Sequence, residues 1–355
     1  MRATARRLVL AVVVTALGAA ALPGSASGAD SHAPGGARLL EFAALPAATF
    51  VPGSEPSGAQ IGAGPFNGVT VPFADQPVQG FSGIIRNRDG TFDVISDNGY
   101  GAKANSADFL LRIQRIAPDF GTGTVDVVGG ITLTDPFAKV PFPLVRPDRV
   151  LTGADFDIES IVRVADGSYW IGDEFGPFLL HFDRAGRLLQ APVPLPGVFA
   201  PENPFRGTTP PNLGSSKGFE GMAKSPDGRT LYPLLEGTVA GDPPGSLRLN
   251  EFSLASGSYT GRRWVYQLED PGNSIGDAIM VNDHQLLVIE RDQAQGDAAK
   301  LKRIYLADLR DRAIGVLNDN NFPFSSGRTP GQPDNDEFIV LRLNRELDLD
   351  ERVLR

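Results

Sequence analysis

Acidic residues stand at both ends of a short pattern that could bring several carboxylates together. In "ESIVRVADGSYWIGDE", two apolar runs flank an Asp-Gly pair, which is a strong signal for a β-hairpin with a tight primed turn. Glu159 stands at the entrance of this hairpin, and Asp173-Glu174 stands at its exit. One acid at a strand end means little, so the question is whether other parts of the chain repeat the arrangement.

The pattern occurs three more times along the chain. The other copies are "FSGIIRNRDGTFDVISDNG" at 81–99, "FEGMAKSPDGRTLYPLLEG" at 219–237 and "IGDAIMVNDHQLLVIERD" at 275–292, the last with His284 in place of the turn glycine. Three copies begin with an acid, and these are Glu159, Glu220 and Asp277. All four end with one, namely Asp97, Asp173 or Glu174, Glu236, and Glu290 or Asp292.

The spacing and composition of the repeats predict an all-β protein with a single β-propeller. The copies start about 77, 61 and 56 residues apart, which is too uneven for a stacked solenoid but suits blades joined by long loops. The second runs are apolar at consecutive positions, as in Tyr169-Trp170-Ile171, which is typical of strands covered on both faces. At roughly 40–55 residues per blade, we expect six blades, with seven as the alternative. A β-sandwich is the competing architecture.

The amino terminus is typical of a secretory signal peptide. Three arginines precede the apolar run 8–22, and small residues follow it, so we expect residues 1–29 to be removed. Arg6-Arg7 leaves the choice between the general secretory and the twin-arginine route open. Residues 30–65 are expected to form a low-order lead-in rich in Ala, Gly and Pro, and residues 66–355 the propeller domain. This organisation predicts a secreted or otherwise extracytoplasmic protein.

The composition excludes several classes of partner and site. Loss of the signal peptide removes three arginines and no acids, which moves the formal charge from −9 to −12. So acidic a chain is a poor candidate for nucleic acid or for membranes after cleavage. It has no cysteine and three histidines, so a histidine-rich transition-metal site is excluded. Carboxylates at equivalent blade positions would repel one another, and a hard cation such as Ca²⁺ would relieve that repulsion.

Purely structural roles would also explain these residues. The acids could cap turns and bind backbone N–H groups between blades. Lys217, Arg291, Lys103 and Arg86 each lie near an acidic end, where they could form salt bridges or bind an anion beside a metal. The "GSSKG" at 214–218 matches the pattern of a nucleophile elbow, but it lacks the strand and helix that the elbow requires.

The motifs taken together resemble the phytase-like family, whose members are described as showing the esterase-like activity of phytase. The resemblance rests on four segments in this order: "FSGIIRNRDGTFDVISDNGYGAKANSADFLLRI", "DFDIESIVRVADGSYWIGDEFGPFLLHFDRAGRLL", "SKGFEGMAKSPDGRTLYPLLEG" and "LNDNNFPFSSGR…DNDEFIVLRL". They cover roughly residues 66 to 343. The resemblance implies a β-propeller and a small-molecule phosphoester, or another ester, as the substrate.

The resemblance also implies a Ca²⁺-assisted reaction in which a metal-activated water attacks a phosphate ester. It implies that Glu220 and Glu159 are catalytic, and that Lys217, Arg291 and Lys103 bind substrate. The implied metal ligands are Asp97, Glu159, Asp173, Glu174, Glu220 and Asp277.

Two other functions are compatible with the sequence. One is a metal-dependent lactonase or esterase of the gluconolactonase type, in which Glu220-Gly221 would be the metal-binding start of a blade. The other is a secreted, non-catalytic propeller with purely structural calcium. The oligomeric state is left open.

Overall fold

The computed structural model describes residues 39–66, 68–294 and 298–310, together with the backbone of strands at 314–316 and 338–343. The predicted signal peptide and the "LNDNNFP" motif lie outside the described residues. The described helices are two three-residue 3-10 turns, Lys103–Asn105 and Pro204–Arg206. No helix in this part of the chain is long and apolar enough to cross a membrane.

The regular structure of the described residues is almost entirely β, which confirms the predicted all-β class. The strands are β1 (Leu39–Leu45), β2 (Phe50–Val51), β3 (Gln76–Pro77), β4 (Phe81–Arg86), β5 (Phe92–Ser96), β6 (Arg112–Asp119), β7 (Thr124–Thr132), β8 (Ile158–Arg163), β9 (Tyr169–Asp173), β10 (Phe178–Phe182), β11 (Val193–Pro194), β12 (Phe219–Lys224), β13 (Thr230–Leu235), β14 (Ser246–Ser253), β15 (Ser258–Gln267), β16 (Ser274–Met280), β17 (Gln285–Arg291), β18 (Lys302–Asp308), β19 (Ile314–Val316) and β20 (Phe338–Leu343). β1 and β2 lie within the predicted lead-in.

Four antiparallel meanders form the body of the described structure. They are β4–β7, β8–β11, β12–β15 and β16–β19, and in each the strands are hydrogen-bonded in chain order. β1 pairs in parallel with β7 at the outer edge of the first sheet, and β20 pairs with β1. The first strands of the sheets lie side by side in chain order: β4 contacts β8, β8 contacts β12, and β12 contacts β16. β16 also contacts β4. The arrangement is propeller-like with four blades in the described residues, which do not confirm six or seven.

Apolar layers between neighbouring blades hold the sheets together. Every residue of β9 is buried, with Tyr169 and Ile171 packed against the first blade's side and Trp170 against the third blade's side. A third layer joins the blade that contains Leu234 to the blade that contains Val288. Burial on both faces explains why the second strands are apolar at consecutive positions.

The Asp-Gly hairpins have the predicted glycine conformation but a different turn type. Gly167 has φ +85°, and its N–H donates to the Val164 carbonyl at 2.9 Å. Asp166 does not share the positive φ that a type I′ turn requires at both central residues, so the primed turn was wrong. Instead the Asp166 carboxylate accepts hydrogen bonds from the N–H and hydroxyl of Ser168, at 2.8 and 2.7 Å, which favours the longer loop with a left-handed glycine.

Candidate functional site

The first strand of each of the four sheets, β4, β8, β12 and β16, contains a β-bulge near its start. The bulged residues are Ser82 in β4, Glu159 in β8, Glu220 in β12 and the pair Gly276-Asp277 in β16. A bulge leaves its extra residue outside the ladder and redirects that side chain, and bulges are common beside functional sites. The acids at the hairpin entrances therefore occupy equivalent bulged positions of neighbouring blades.

The exits of the hairpins are also equivalent, because the strand register fixes which residues correspond. The partners of the first apolar residues are Ser96, Asp173, Leu235 and Glu290. The residues one step beyond these partners are Asp97, Glu174, Glu236 and Arg291. The register thus decides between the two acids at the end of β9, because it aligns Glu174 with Asp97 and Glu236. In the fourth blade a cation takes the place of the acid.

Five carboxylates converge in two overlapping groups. The first carboxylate group contains Asp157, Glu159 and Glu174, and the second contains Glu174, Glu220 and Glu236. Within each group, one oxygen per residue lies within 4.8 Å of the others. Glu174 belongs to both groups, so the two form one continuous site across the second and third blades.

Hydrogen-bond donors fix the position of Asp157 in the first carboxylate group. The Asn98 N–H donates to Asp157 Oδ1 at 3.0 Å, and the Asn98 amide donates to Oδ2 at 2.9 Å. The Ser216 hydroxyl donates to the same Oδ2. Asn98 comes from the first blade and Ser216 from the loop before β12, so elements on both sides of the second blade orient this carboxylate.

Glu174 has a buried carboxylate oxygen that no donor in the described part of the chain satisfies. Its exposed fraction is 4%, and its Oε1 has no hydrogen-bond partner among the described residues. A buried carboxylate oxygen without a donor reduces the free energy of unfolding. Such groups are usually explained by an unseen ion, an unseen water or a functional role. The residue that carries this oxygen is the one that the two carboxylate groups share.

Lys217 is the cation of the second carboxylate group. Its Nζ donates a hydrogen bond to Glu236 Oε2 and forms an ion pair there. Burial lowers the pKa of the Lys217 ammonium, but Glu236, Glu174 and Glu220 outweigh this effect and the net shift of the pKa is upward. Lys217 is therefore charged at neutral pH.

Raised pKa values are found at Asp157, Glu159, Glu174 and Glu220. Burial raises the pKa of Glu159, Glu174 and Glu220 well above the usual range, and the surrounding acids raise the pKa of each further. The Arg291 and Lys217 cations oppose the shift at Glu220. Burial also raises the pKa of Asp157, although Ser216, Glu159 and Asn98 lower it through hydrogen bonds. Nearby positive charge would thus stabilise the ionised site.

A family comparison accounts for most of the chain. The model of the phytase-like family, described as "Esterase-like activity of phytase", matches residues 76–328. The chain belongs to the phytase-like family. A curated relative, an uncharacterized secreted protein of Arthroderma benhamiae, is 37% identical over 105 residues. That match covers 24% of this chain and 20% of the fungal protein, so the chain matches only a small part of the relative's length.

Solved structures that resemble this phytase-like chain do so at low similarity. The GH43 β-1,3-galactosidase is 7% identical with a TM-score of 0.45, covering 82% of this chain and 60% of that one. The periplasmic gluconolactonase of Pseudomonas aeruginosa is 15% identical with a TM-score of 0.33, covering 78% and 86%. A Bacteroides caccae protein of unknown function is 14% identical with a TM-score of 0.37, covering 67% of each chain. Such scores indicate neither the blade number nor the reaction.

The carboxylates of this phytase-like site fit the requirements of Ca²⁺. Calcium binds carboxylate and carbonyl oxygens at about 2.3–2.6 Å, so two oxygens on one ion are at most about 5 Å apart. The 4.8 Å limit within each group meets that condition before any side chain moves. The oxygen-only donor set also suits a hard cation better than zinc or copper.

Three of the residues predicted as metal ligands lie outside the two carboxylate groups. The Asp173 carboxylate is fully buried and accepts the N–H groups of Asp157 and Gly176, at 2.9 and 2.8 Å. The Asp277 carboxylate accepts its neighbour's N–H, from Ala278, at 2.7 Å. Asp97 accepts the Gly99 N–H at 2.6 Å, and its charge contributes to the raised pKa of Glu159. Backbone capping, the alternative interpretation of the acids, describes Asp173 best.

The predicted substrate-binding cations lie at different distances from the carboxylates. Lys217 contacts Glu236 directly, and Arg291 is close enough to lower the pKa of Glu220. Lys103 is exposed and lies 5.3 Å from the centre of the ring of Phe175, the residue that follows Glu174 in the sequence. The structure therefore brings Lys217 and Arg291 to the second carboxylate group and leaves Lys103 at the periphery.

Two members of the site were absent from the predicted ligand set. Asp157 precedes its strand by one residue, so the hairpin alignment left it out although it lies beside Glu159. Glu236 was recognised as a hairpin exit but was not assigned a role. The signal that could have found it is its equivalence to Glu174, which requires the register around the bulges.

Proposed function

We propose that the chain is an exported, Ca²⁺-dependent hydrolase that cleaves phosphate esters of small molecules. The observation that carries the proposal is the convergence of five carboxylates in two groups that share Glu174, which has a buried, unsatisfied oxygen. Family membership supports ester hydrolysis, since the family is described by the esterase-like activity of phytase. The name of the fungal relative and the arginine-led apolar amino terminus support export.

The charge of the chain explains why a cation is needed. A polyanionic substrate would be repelled by a protein of formal charge −9, and more strongly by the site's five carboxylates. Bound Ca²⁺ would supply positive charge toward phosphate oxygens and would lower the pKa of a water molecule on the ion. No serine or cysteine nucleophile is required for such a direct hydrolysis.

The residues of the chain have distinct roles in this proposal. Asp157, Glu159 and Glu174 hold the cation, and Asn98 and Ser216 keep Asp157 oriented toward it. Glu220, whose pKa is raised by burial and by Glu236, can hold a proton and exchange it with a substrate oxygen. Arg291 offers a positive charge to a phosphate oxygen on the fourth-blade side.

The test is an assay of purified protein against p-nitrophenyl phosphate, phytate and a lactone, with Ca²⁺ or with a chelator. We expect phosphate release that requires Ca²⁺ and that falls at least about 100-fold in Glu220→Gln, the size typical of losing an acid–base group. The matched control is Asp227→Asn, which alters an acid on an exposed turn and should leave turnover unchanged.

The other outcomes separate the competing functions. Hydrolysis of the lactone alone would indicate a gluconolactonase-type enzyme. A chelator that lowers the melting temperature, with no turnover of any substrate, would indicate a non-catalytic propeller with structural calcium. Full activity in Glu220→Gln would overturn the assignment of the acid–base residue.

A further inference from the structure

The loop Ser216–Gly218, immediately before β12, contacts both carboxylate groups and the acid they share. The Ser216 hydroxyl donates to Asp157 of the first carboxylate group, whereas the Lys217 ammonium donates to Glu236 of the second. Gly218 packs against the backbone of Glu174, where a Cβ would collide with the Glu174 Cα and carbonyl oxygen. The loop therefore gives the first carboxylate group a neutral hydrogen-bond donor and the second carboxylate group a cation.

The backbone around Lys217 is built for this placement. The Gly237 N–H donates to the Lys217 carbonyl at 3.0 Å, and a side chain at Gly237 would come within 2.6 Å of Lys217 Cβ. Ser216 has φ +46°, a left-handed conformation that non-glycine residues adopt at some cost. The contacts on either side of the loop hold that conformation and fix Lys217 beside Glu236.

An ammonium and a divalent cation compete for the same carboxylate oxygen. The Lys217 Nζ already lies at hydrogen-bond distance from Glu236 Oε2, and its charge also acts on Glu174 and Glu220. A Ca²⁺ ion bound to that oxygen would lie within a few ångströms of the ammonium, and the two cations would repel each other at the buried Glu236 carboxylate. In the first carboxylate group no lysine or arginine ion pair is described. Glu174, which carries the buried oxygen without a donor, belongs to this group as well as to the second.

We propose that the two carboxylate groups are not equivalent, because Lys217 serves as a built-in counter-ion. The first carboxylate group binds one Ca²⁺, and the second is neutralised by Lys217, so the natural chain binds a single ion where its acids could hold two. This inference rests on the proposed calcium site but not on the reaction, since it concerns the number of ions bound.

The experiment is a calorimetric titration of the metal-stripped protein with CaCl₂ alone. We expect one ion per chain in the natural protein and two in Lys217→Met, because removal of the ammonium frees the second carboxylate group. Lys217→Arg should remain at one ion. Lys103→Met should also remain at one, since it removes the same charge from a lysine that lies over Phe175 rather than on a carboxylate.

A second variant keeps the proposal testable if Lys217→Met does not fold. Glu236→Gln should retain one ion with less than a 3-fold change in affinity, whereas Asp157→Asn should weaken that ion more than 10-fold. Two ions in the natural chain, one ion in a folded Lys217→Met, or a large loss of affinity in Glu236→Gln would each overturn the proposal. One bound ion without hydrolysis would contradict the proposed function alone, and no bound Ca²⁺ would contradict both.

Discussion

The two ends of the repeated hairpins use the same residue type in opposite ways. At the turn end, Asp89, Asp166 and Asp227 each accept a hydrogen bond from a neighbouring hydroxyl and from a backbone N–H, and these bonds lower the pKa of each acid. At the other end, burial and like charge raise the pKa of Glu159, Glu174 and Glu220. A carboxylate with donors in water stabilises a turn by itself, whereas crowded, buried carboxylates need an external charge.

Glu174→Gln should give the largest effect, because this acid is shared by both carboxylate groups. Loss of one ligand charge should reduce Ca²⁺-dependent turnover by at least about 100-fold, more than the 10–100-fold typical of residues that only support ligands. Turnover of p-nitrophenyl phosphate at saturating Ca²⁺ measures the effect. The metal-free variant should melt at a higher temperature than the metal-free natural chain, since Gln removes the free-energy cost of a buried acid crowded by other acids. Normal turnover in Glu174→Gln would contradict the role of the crowded acids in the reaction, and with it the difference in function between the two ends of the hairpins.

The stability of the chelated protein should fall as pH rises from about 5 to 8. Burial raises the pKa of Asp173 to about 8 and that of Asp277 to about 7, from about 3.9 in an unfolded chain. In this range the folded state binds more protons than the unfolded state, so the free energy of unfolding decreases with increasing pH. The turn acids contribute nothing here, because their pKa values are shifted downward.

Thermal melts at pH 5 and pH 8, with chelator and with Ca²⁺, measure this dependence. We expect the chelated protein to lose at least about 2–4 °C, the shift that roughly 1 kcal/mol produces in a domain of comparable size. Calcium should weaken the dependence by favouring the ionised forms of Asp157, Glu159 and Glu174, but the part that comes from Asp173 and Asp277 should remain. Equal melting temperatures at both pH values in chelator would contradict the buried, crowded state of the acids.

Asp277→Asn should have a smaller effect than any change within the carboxylate groups. Asp277 occupies a bulge equivalent to that of Glu220, but its carboxylate accepts the Ala278 N–H, a bond that the Asn side-chain carbonyl can replace. We expect turnover to change less than about 5-fold, below the loss typical of a ligand-supporting residue. Parallel assays of Asp277→Asn and Glu220→Gln would rank the two equivalent positions, and equal losses would place Asp277 in the site.

Asp166→Ala should produce the smallest effect, confined to stability. It removes the hydrogen bonds from Ser168, which are partly exposed, and the melting temperature should drop by no more than about 4 °C. Calcium affinity should stay unchanged in the same titration. A change in affinity would mean that the turn end influences the site.

Local signals were sufficient to predict the hairpins from the sequence. Consecutive apolar residues such as Tyr169-Trp170-Ile171 and the glycine of each Asp-Gly pair report directly on burial and on φ, so the first two strands of each described blade were found. In the weakest copy, where His284 replaces the turn glycine, the Asn282 side-chain carbonyl accepts the N–H groups of His284 and Gln285.

The composition of the site could be predicted only in part, because bulges shift the register. Asp173 and Glu174 are adjacent, and a one-residue shift exchanges a buried backbone cap for a member of the site. Asp157 and Lys217 lie in loops, and only the packing of neighbouring blades brings them to the carboxylates. The number of blades depends on how the sheets close into a ring. The uneven spacing of the hairpin copies along the sequence does not determine it.

The bulges at the starts of β4, β8, β12 and β16 also bear on how such a protein could change its chemistry over evolution. A residue outside the ladder can be exchanged without disturbing the hydrogen bonds or the apolar layers that follow it. Within this one chain the equivalent positions already hold Ser82, Glu159, Glu220 and Asp277. The fold thus keeps a set of replaceable positions beside strands and apolar layers that stay unchanged. New specificities could arise there by single substitutions with little loss in the free energy of unfolding.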